Sequence, residues 1–428
     1  MFEDGAWADR ALRGEAERAG LDPRERALAT RLAYGTVQRR ATLDHLIEHF
    51  AGRPVGRLEP LVLASLRIGL YQLAFADRVP PHAAVGESEE LVKRHSPGGA
   101  KLVNAVLRRA AREARAIVAA LPQKTAAEAA LRHSYPVWMA ELWFAALGPD
   151  AARALMAAMN EPAAAVLRAN TLRTTAAGLA ARLLVPAAPV DGLPEGLELA
   201  GPFDAFASPL WREGLFMPQS RAAMAVARVL DPRPGERVLD LCAAPGAKTT
   251  HLAALIEGRG EIVAIEQHAG RADALRRTAQ RMGAGDCTTV VTADAAAFDE
   301  PDAFDRVLVD PPCTDLGTLA SRPDARWRKE RDDPARLART QAAILRAGAR
   351  ALRPGGTLVY STCTISPAEN EQVVGAFLDA EPGFRASDLR SDLPLWDHPA
   401  VPGFAQTLPH RDGTEGFFIA RLRREAVA

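Results

Sequence analysis

An all-helical N-terminal domain, a small α+β module and a C-terminal doubly wound α/β domain of Rossmann-like type are the architecture this sequence predicts. Three observations carry it. Residues 1–138 hold apolar stripes at helical spacing with no convincing strand, and residues 139–228 mix a helical run, a strand-like run and proline- and glycine-rich connections. After "DPRPGE", residues 229–428 alternate short β-rich runs with helical segments. A chain of 428 residues ordinarily forms two or three domains.

In the first domain Leu43, Leu46, Ile47 and Phe50 recur at i, i+3, i+4, i+7, the spacing of one helix face. Val62, Leu66, Leu70 and Leu73 form a second stripe, and Val103, Val106, Leu107 and Ala110 a third. The middle module opens on a helical "VWMAELWFAALG", continues with a strand-like "AVLRANTLRTT", and passes into "VPAAPVDGLPEGLELAGP", which reads as connection. The C-terminal domain offers "RVLDLC", "EIVAIE", "TTVVTAD", "DRVLVD" and "GTLVYSTC". Near-continuous apolar runs of this length, separated by helices, indicate a parallel sheet covered on both faces. The closing "GFFIARLRR" reads as a last strand, antiparallel at or near the edge.

Fifty-three basic and 53 acidic residues cancel, so an anionic partner must be met by a local patch. Cys242, Cys287, Cys313 and Cys363 include no CxxC pair, which argues against a zinc site or a disulfide framework. No metal is expected. The polar N-terminus lacks the apolar core of a signal peptide, and no run of about 18 apolar residues offers a membrane span. A reducing, cytoplasmic setting is the expectation.

In a doubly wound sheet, ligands bind outside the carboxyl ends of the strands. The first strand runs into "CAAPGAKTTHLA", whose single Gly246 lacks the G-x-G-x-x-G that admits a pyrophosphate. A nucleotide without one fits better. Glu266 ends the next strand, where an acid grips a ribose; Asp294 ends the third, placed for an adenine amino group; Asp310 ends the fourth. Acids at strand ends also cap helices, but the whole series with the glycine loop points to S-adenosylmethionine.

Cys313 and Cys363 each follow a strand end, so adjacent strands bring both thiols to one crevice. Carbon 5 of a pyrimidine is too weak a nucleophile to attack a sulfonium methyl, and a thiolate adding to carbon 6 activates it. A base must then remove the carbon 5 proton, and an acid near ring nitrogen 3, the role open to Asp310, offsets the developing charge. Cys242 and Cys287 read as small buried hydrophobes, with the Cys242 backbone lining the cofactor.

"VLDLCAAPGAKTTHLA", "VDPPCTDLGTL" and "YSTCTISPAENE" resemble three motifs of the Nol/Nop/Sun family of RNA 5-methylcytosine methyltransferases. "RLAYGTVQRRATLDHLI" and "HAAVGESEELVKRHSPGGAKLVNAVLRR" resemble a NusB-like RNA-binding domain, and together these suggest the bacterial Sun/RsmB-like branch. The resemblance implies a NusB-like helical domain, a class I methyltransferase domain and methylation of cytosine in small-subunit (16S) ribosomal RNA. It makes Cys363 the nucleophile and gives Cys313 proton removal and product release; spacing alone leaves that order open. It also places the cofactor on Cys242, Ala243, Ala244, Pro245, Gly246, Ala247 and Lys248, with Glu266, Asp294 and Asp310. The chain departs from the family pattern at Ala247 and Thr314-Asp315, where Gly and Ser-Gly are usual, and at Ser220 and Glu415, where Asp is usual.

For the RNA, Lys101, Arg108 and Arg112 share a helical face opposite the apolar stripe, and Arg326 lies among other cations around Trp327, itself read as packing. Arg168 and Asn170 match a family motif that meets substrate. The target cytosine must be unstacked, so a loop or flipped base is expected. The chain is expected to act as a monomer. The same chemistry on transfer RNA or another ribosomal position, a non-catalytic NusB-like RNA-binding protein, and a methyltransferase acting on small molecules or protein are the alternatives.

Overall fold

Two compact units make up the chain, Met1–Pro162 with Leu319–Lys329, and Ala163–Thr318 with Glu330–Ala428. The computed structural model describes residues 8–77, 79–394 and 396–426. Among these, no helix is long and apolar enough to cross a membrane.

In the first unit the three expected stripes lie on the helices Arg40–Ala51, Pro60–Phe75 and Pro97–Ala120. Their apolar residues are buried together in one core. Each valine, leucine, isoleucine or phenylalanine so removed from water contributes about 1.5–3 kcal/mol. By compactness Val137–Leu147 and Pro149–Ala158 group with this unit, whose break falls after Pro162, while the expected boundary was 138/139. Trp143 is fully buried, edge-on to Tyr135 with ring centroids 5.4 Å apart, so "VWMAELWFAALG" is committed to the helical core. Leu319–Lys329 joins the same unit although it lies far along the sequence. There the Trp327 indole donates to the Val37 carbonyl at 2.7 Å, a packing role as expected.

The second unit opens with a four-stranded antiparallel sheet of β1 (Val166–Ala169), β2 (Ala187–Val190), β3 (Leu193–Leu199) and β4 (Phe216–Pro218), in the order β2-β3-β1-β4. The stretch read as loose connection is in fact the β2–β3 hairpin. Asp191-Gly192 makes its two-residue turn, with Gly192 at φ 73°, and Pro189 is tolerated because β2 is an edge strand.

The main sheet contains β5 (Arg237–Leu241), β6 (Glu261–Glu266), β7 (Thr288–Thr292), β8 (Phe304–Val309), β9 (Leu352–Thr362), β10 (Phe384–Ser387), β11 (Ala405–Gln406) and β12 (Phe418–Arg424). Its order is β10-β12-β9-β8-β5-β6-β7, with β11 on β12. The five strands from β5 to β9 run parallel, as their apolar runs predict. β12 is antiparallel to β9, and β10 covers its other side, so the last strand is internal. The order turns back between β5 and β8, and the register aligns Leu241 with both Ile265 and Val309, and Val309 with Tyr360. The residues that follow these strand ends therefore open at one level.

Candidate active site

The loop after β5 bends back on itself. Cys242 has φ 67° and Gly246 φ 103°, and the helix Ala247–Leu255 starts directly after them. A Cβ at Gly246 would lie 2.6 Å from Leu275 Cδ1, so both conformation and space demand glycine. Ala247 is the first helical residue, a position alanine favours, and the absent second glycine costs the loop nothing. Ser220 caps the helix Arg221–Leu230 by accepting from the Ala223 amide at 3.3 Å, a task serine and aspartate do equally well.

Glu266, at the end of β6, is buried. It accepts from the His268 amide at 2.9 Å, and Arg271 stands 3.2 Å from its other oxygen. Asp294 is exposed and accepts from the Ala296 amide at 3.0 Å, so one oxygen caps the short turn that follows β7. With the Gly246 cradle, these acids at neighbouring strand ends fit a nucleoside carrying an amino acid chain.

Asp310 follows β8 and meets β9 side by side: Ser361 Oγ donates to its Oδ1 at 3.0 Å, and Lys248 Nζ donates to its Oδ2 at 2.7 Å. Burial alone would discharge Lys248, but the Asp310 carboxylate outweighs it and holds the ammonium above its usual range.

The two thiols are brought together. Cys313 Sγ and Cys363 Sγ lie 3.2 Å apart, and Cys363 Sγ is 3.0 Å from Asp315 Oδ1. Cys363 is held well above the usual thiol range, first by its hydrogen bond with Cys313, then by burial and the charge of Asp315. It is therefore a thiol at rest, and attack requires a proton acceptor. Cys242 is also pushed up, chiefly by burial and then by the surrounding carboxylates, which suits a lining residue. Cys287 lies apart, donating to the Ala284 carbonyl at 3.4 Å.

Glu369, within "SPAENE", joins the two cysteine loops, a role that spacing did not reveal. Fully buried, it accepts from the Thr314 amide at 2.8 Å and the Thr314 hydroxyl at 2.5 Å, and from Gln341 at 3.1 Å. Asn370 accepts from Thr362 at 2.5 Å and donates to the Thr364 carbonyl at 3.0 Å. The signal for both was a polar "ENE" where the turn Pro367–Glu369 passes into the helix Glu371–Ala380.

Lys101, Arg108 and Arg112 are exposed along one face of Pro97–Ala120, with the apolar stripe buried opposite. Three other residues expected to hold RNA are not at the surface. Arg168 is fully buried and donates to Gln219 at 2.8 Å, the Ala247 carbonyl at 2.5 Å and Thr250 at 2.9 Å. Burial lowers it to about 9, and it ties β1 to the first turn after the glycine loop. Asn170 donates to the Gly214 and Met282 carbonyls at 2.8 and 2.7 Å. Arg326 lies over the Tyr135 ring at 4.0 Å and donates to Asn160 at 2.9 Å and to the Ser134 and Gln38 carbonyls at 3.1 and 3.2 Å. All three are buried and donate to protein acceptors, so the structure gives them framework roles in place of the expected exposed RNA contact.

Three family profiles match: "NusB family" at residues 1–112, "Methyltr_RsmF/B-like, ferredoxin-like domain" at 135–205 and "16S rRNA methyltransferase RsmB/F" at 227–423. The chain is 36% identical to the "Probable ribosomal RNA small subunit methyltransferase B" of Synechocystis sp., over 98% of this chain and 96% of that one. It is 37% identical to the ribosomal RNA small subunit methyltransferase B of Thermus thermophilus, over 97% and 92%. Among solved structures, NSun6 from Pyrococcus horikoshii with SFG, an analogue of S-adenosylmethionine, is 25% identical with TM-score 0.63, covering 68% of this chain and 99% of that one.

Proposed function

Because this chain belongs to the RsmB/F family of ribosomal RNA small subunit methyltransferases, we propose that its two-thiol crevice methylates carbon 5 of a cytosine in 16S ribosomal RNA through a covalent Cys363 adduct. The cofactor is S-adenosylmethionine, which supplies an electrophilic methyl group. Its holders would be the loop from Cys242 to Lys248, with Glu266 toward the ribose and Asp294, on its remaining acceptor capacity, toward the adenine.

The observation that carries this reading is the 3.2 Å approach of Cys313 and Cys363 beside the Asp310–Lys248 pair. Cys363 adds to carbon 6, and the Lys248 ammonium, held in place by Asp310, offsets the negative charge that develops around ring nitrogen 3. Carbon 5 then takes the methyl group. Cys313, next to the nucleophile, assists removal of the carbon 5 proton and release of the product. The exposed Lys101, Arg108 and Arg112 supply a phosphate-facing patch on an otherwise neutral chain. Every catalytic and cofactor-holding group named lies in the second unit, and we read the chain as acting as a monomer.

Small-subunit ribosomal RNA incubated with the protein and S-adenosylmethionine, digested to nucleosides and analysed by mass spectrometry, tests the reading. The expected product is 5-methylcytidine. A methyl group on the exocyclic nitrogen or on ribose would overturn the thiol chemistry, and methylation confined to transfer RNA would move the substrate.

A further inference from the structure

The Cys363 thiol must lose its proton to attack. Lys248 is held as the ammonium by Asp310 and cannot take it, and Cys313 is engaged with the carbon 5 proton in the mechanism above. The other candidate in reach is Asp315, whose Oδ1 lies 3.0 Å from Cys363 Sγ and 3.8 Å from Cys313 Sγ. A carboxylate on a thiol at that distance is a hydrogen-bonded acceptor already in place.

The backbone around Asp315 is fixed. Its carbonyl accepts from the Thr318 amide at 3.0 Å and the Thr318 hydroxyl at 3.0 Å. Two residues on, the Gly317 amide donates to the Cys363 carbonyl at 3.0 Å, so this turn and the nucleophile move as one piece. Asp315 also holds φ 59°, a left-handed conformation that costs most side chains about 1–2 kcal/mol and that aspartate tolerates better than most. A glycine would fit without strain. A strained carboxylate aimed at a reactive sulfur is the kind of local cost that accompanies function.

We propose that Asp315 is the general base for Cys363, a role that rests on the covalent mechanism above. As the sulfur bonds to carbon 6, the thiol proton passes to the Asp315 carboxylate and the carbon 5–carbon 6 π electrons move into the ring. After methyl transfer the carbon 5 proton leaves on the Cys313 side. The electrons of that C–H bond re-form the ring double bond, the carbon 6–sulfur bond breaks, and Cys363 departs as a thiolate that recovers its proton from Asp315. The carboxylate is thereby regenerated, and one proton is released per methyl transferred.

The test is the rate of covalent RNA adduct formation in a Cys313→Ala background, where release is blocked, with S-adenosylmethionine present. Adding Asp315→Asn slows adduct formation by about 10²-fold or more, the size of a lost general base. Asp315→Gly, which suits the backbone, is equally slow, and added formate restores much of its rate while chloride does not. A double variant as fast as Cys313→Ala alone would overturn the assignment. So would slow variants that formate fails to accelerate beyond chloride, since the residue would then be structural. No adduct from Cys313→Ala itself would instead overturn the thiol mechanism, and Asp315's role with it.

Discussion

Asp240 lies one residue before the end of β5 and is buried at 1% exposure, with Thr249 donating to its Oδ2 at 2.7 Å. Burial pushes it up to about 7, the charge of Asp310 adds to this, and Thr249 and Lys248 only partly oppose it. A carboxyl raised in the folded state binds a proton there that the unfolded chain has already lost. Stability therefore falls as pH rises from about 4 to about 7, and the cost above that, on the order of 4 kcal/mol, is the price of a buried charge. Asp240→Asn keeps an acceptor for Thr249 and cannot ionise. Its urea midpoint should decline less between pH 5 and pH 8 than that of the wild type, and parallel declines would contradict the assignment. At this scale the sequence was informative where strand ends dictate position: Cys313, Cys363 and Asp310 all follow parallel strands. Glu369 and Asp315 were not legible as site residues, because their partners lie 48 to 55 positions away and depend on how two loops meet.

The element that most directly presents the cofactor is the turn from β5 into Ala247–Leu255. Gly246→Ala places a methyl 2.6 Å from Leu275 Cδ1 and forces a left-handed backbone on alanine. We expect a loss of about 2–5 kcal/mol in stability and at least a tenfold weaker affinity for S-adenosylmethionine by titration calorimetry. Ala247→Gly, one residue on, should cost at most about 1 kcal/mol and leave affinity unchanged, since a helical φ gains nothing from glycine. A Gly246→Ala protein with unaltered affinity would mean that the cofactor lies elsewhere. The parallel strands were legible because burial on both faces leaves long apolar runs. The β2–β3 hairpin was missed because proline and glycine usually punctuate, and only the edge position of β2 makes Pro189 compatible with pairing.

Over the whole molecule, the helical and α/β characters were plain from periodicity, while the boundary between units was not. A helix such as Val137–Leu147 looks the same in sequence whether it closes one core or opens another. The same ambiguity misled the reading of cations: Arg168 and Arg326 carry charge in motifs rich in arginine, yet both are fully buried and hold the framework. The account as a whole rests on Cys363 being the sulfur that bonds to RNA. Cys313→Ala and Cys363→Ala proteins, each incubated with small-subunit ribosomal RNA and S-adenosylmethionine and run on a denaturing gel, test this most directly. A shifted protein–RNA band from Cys313→Ala and none from Cys363→Ala is the result predicted; the band appearing with Cys363→Ala instead would contradict it.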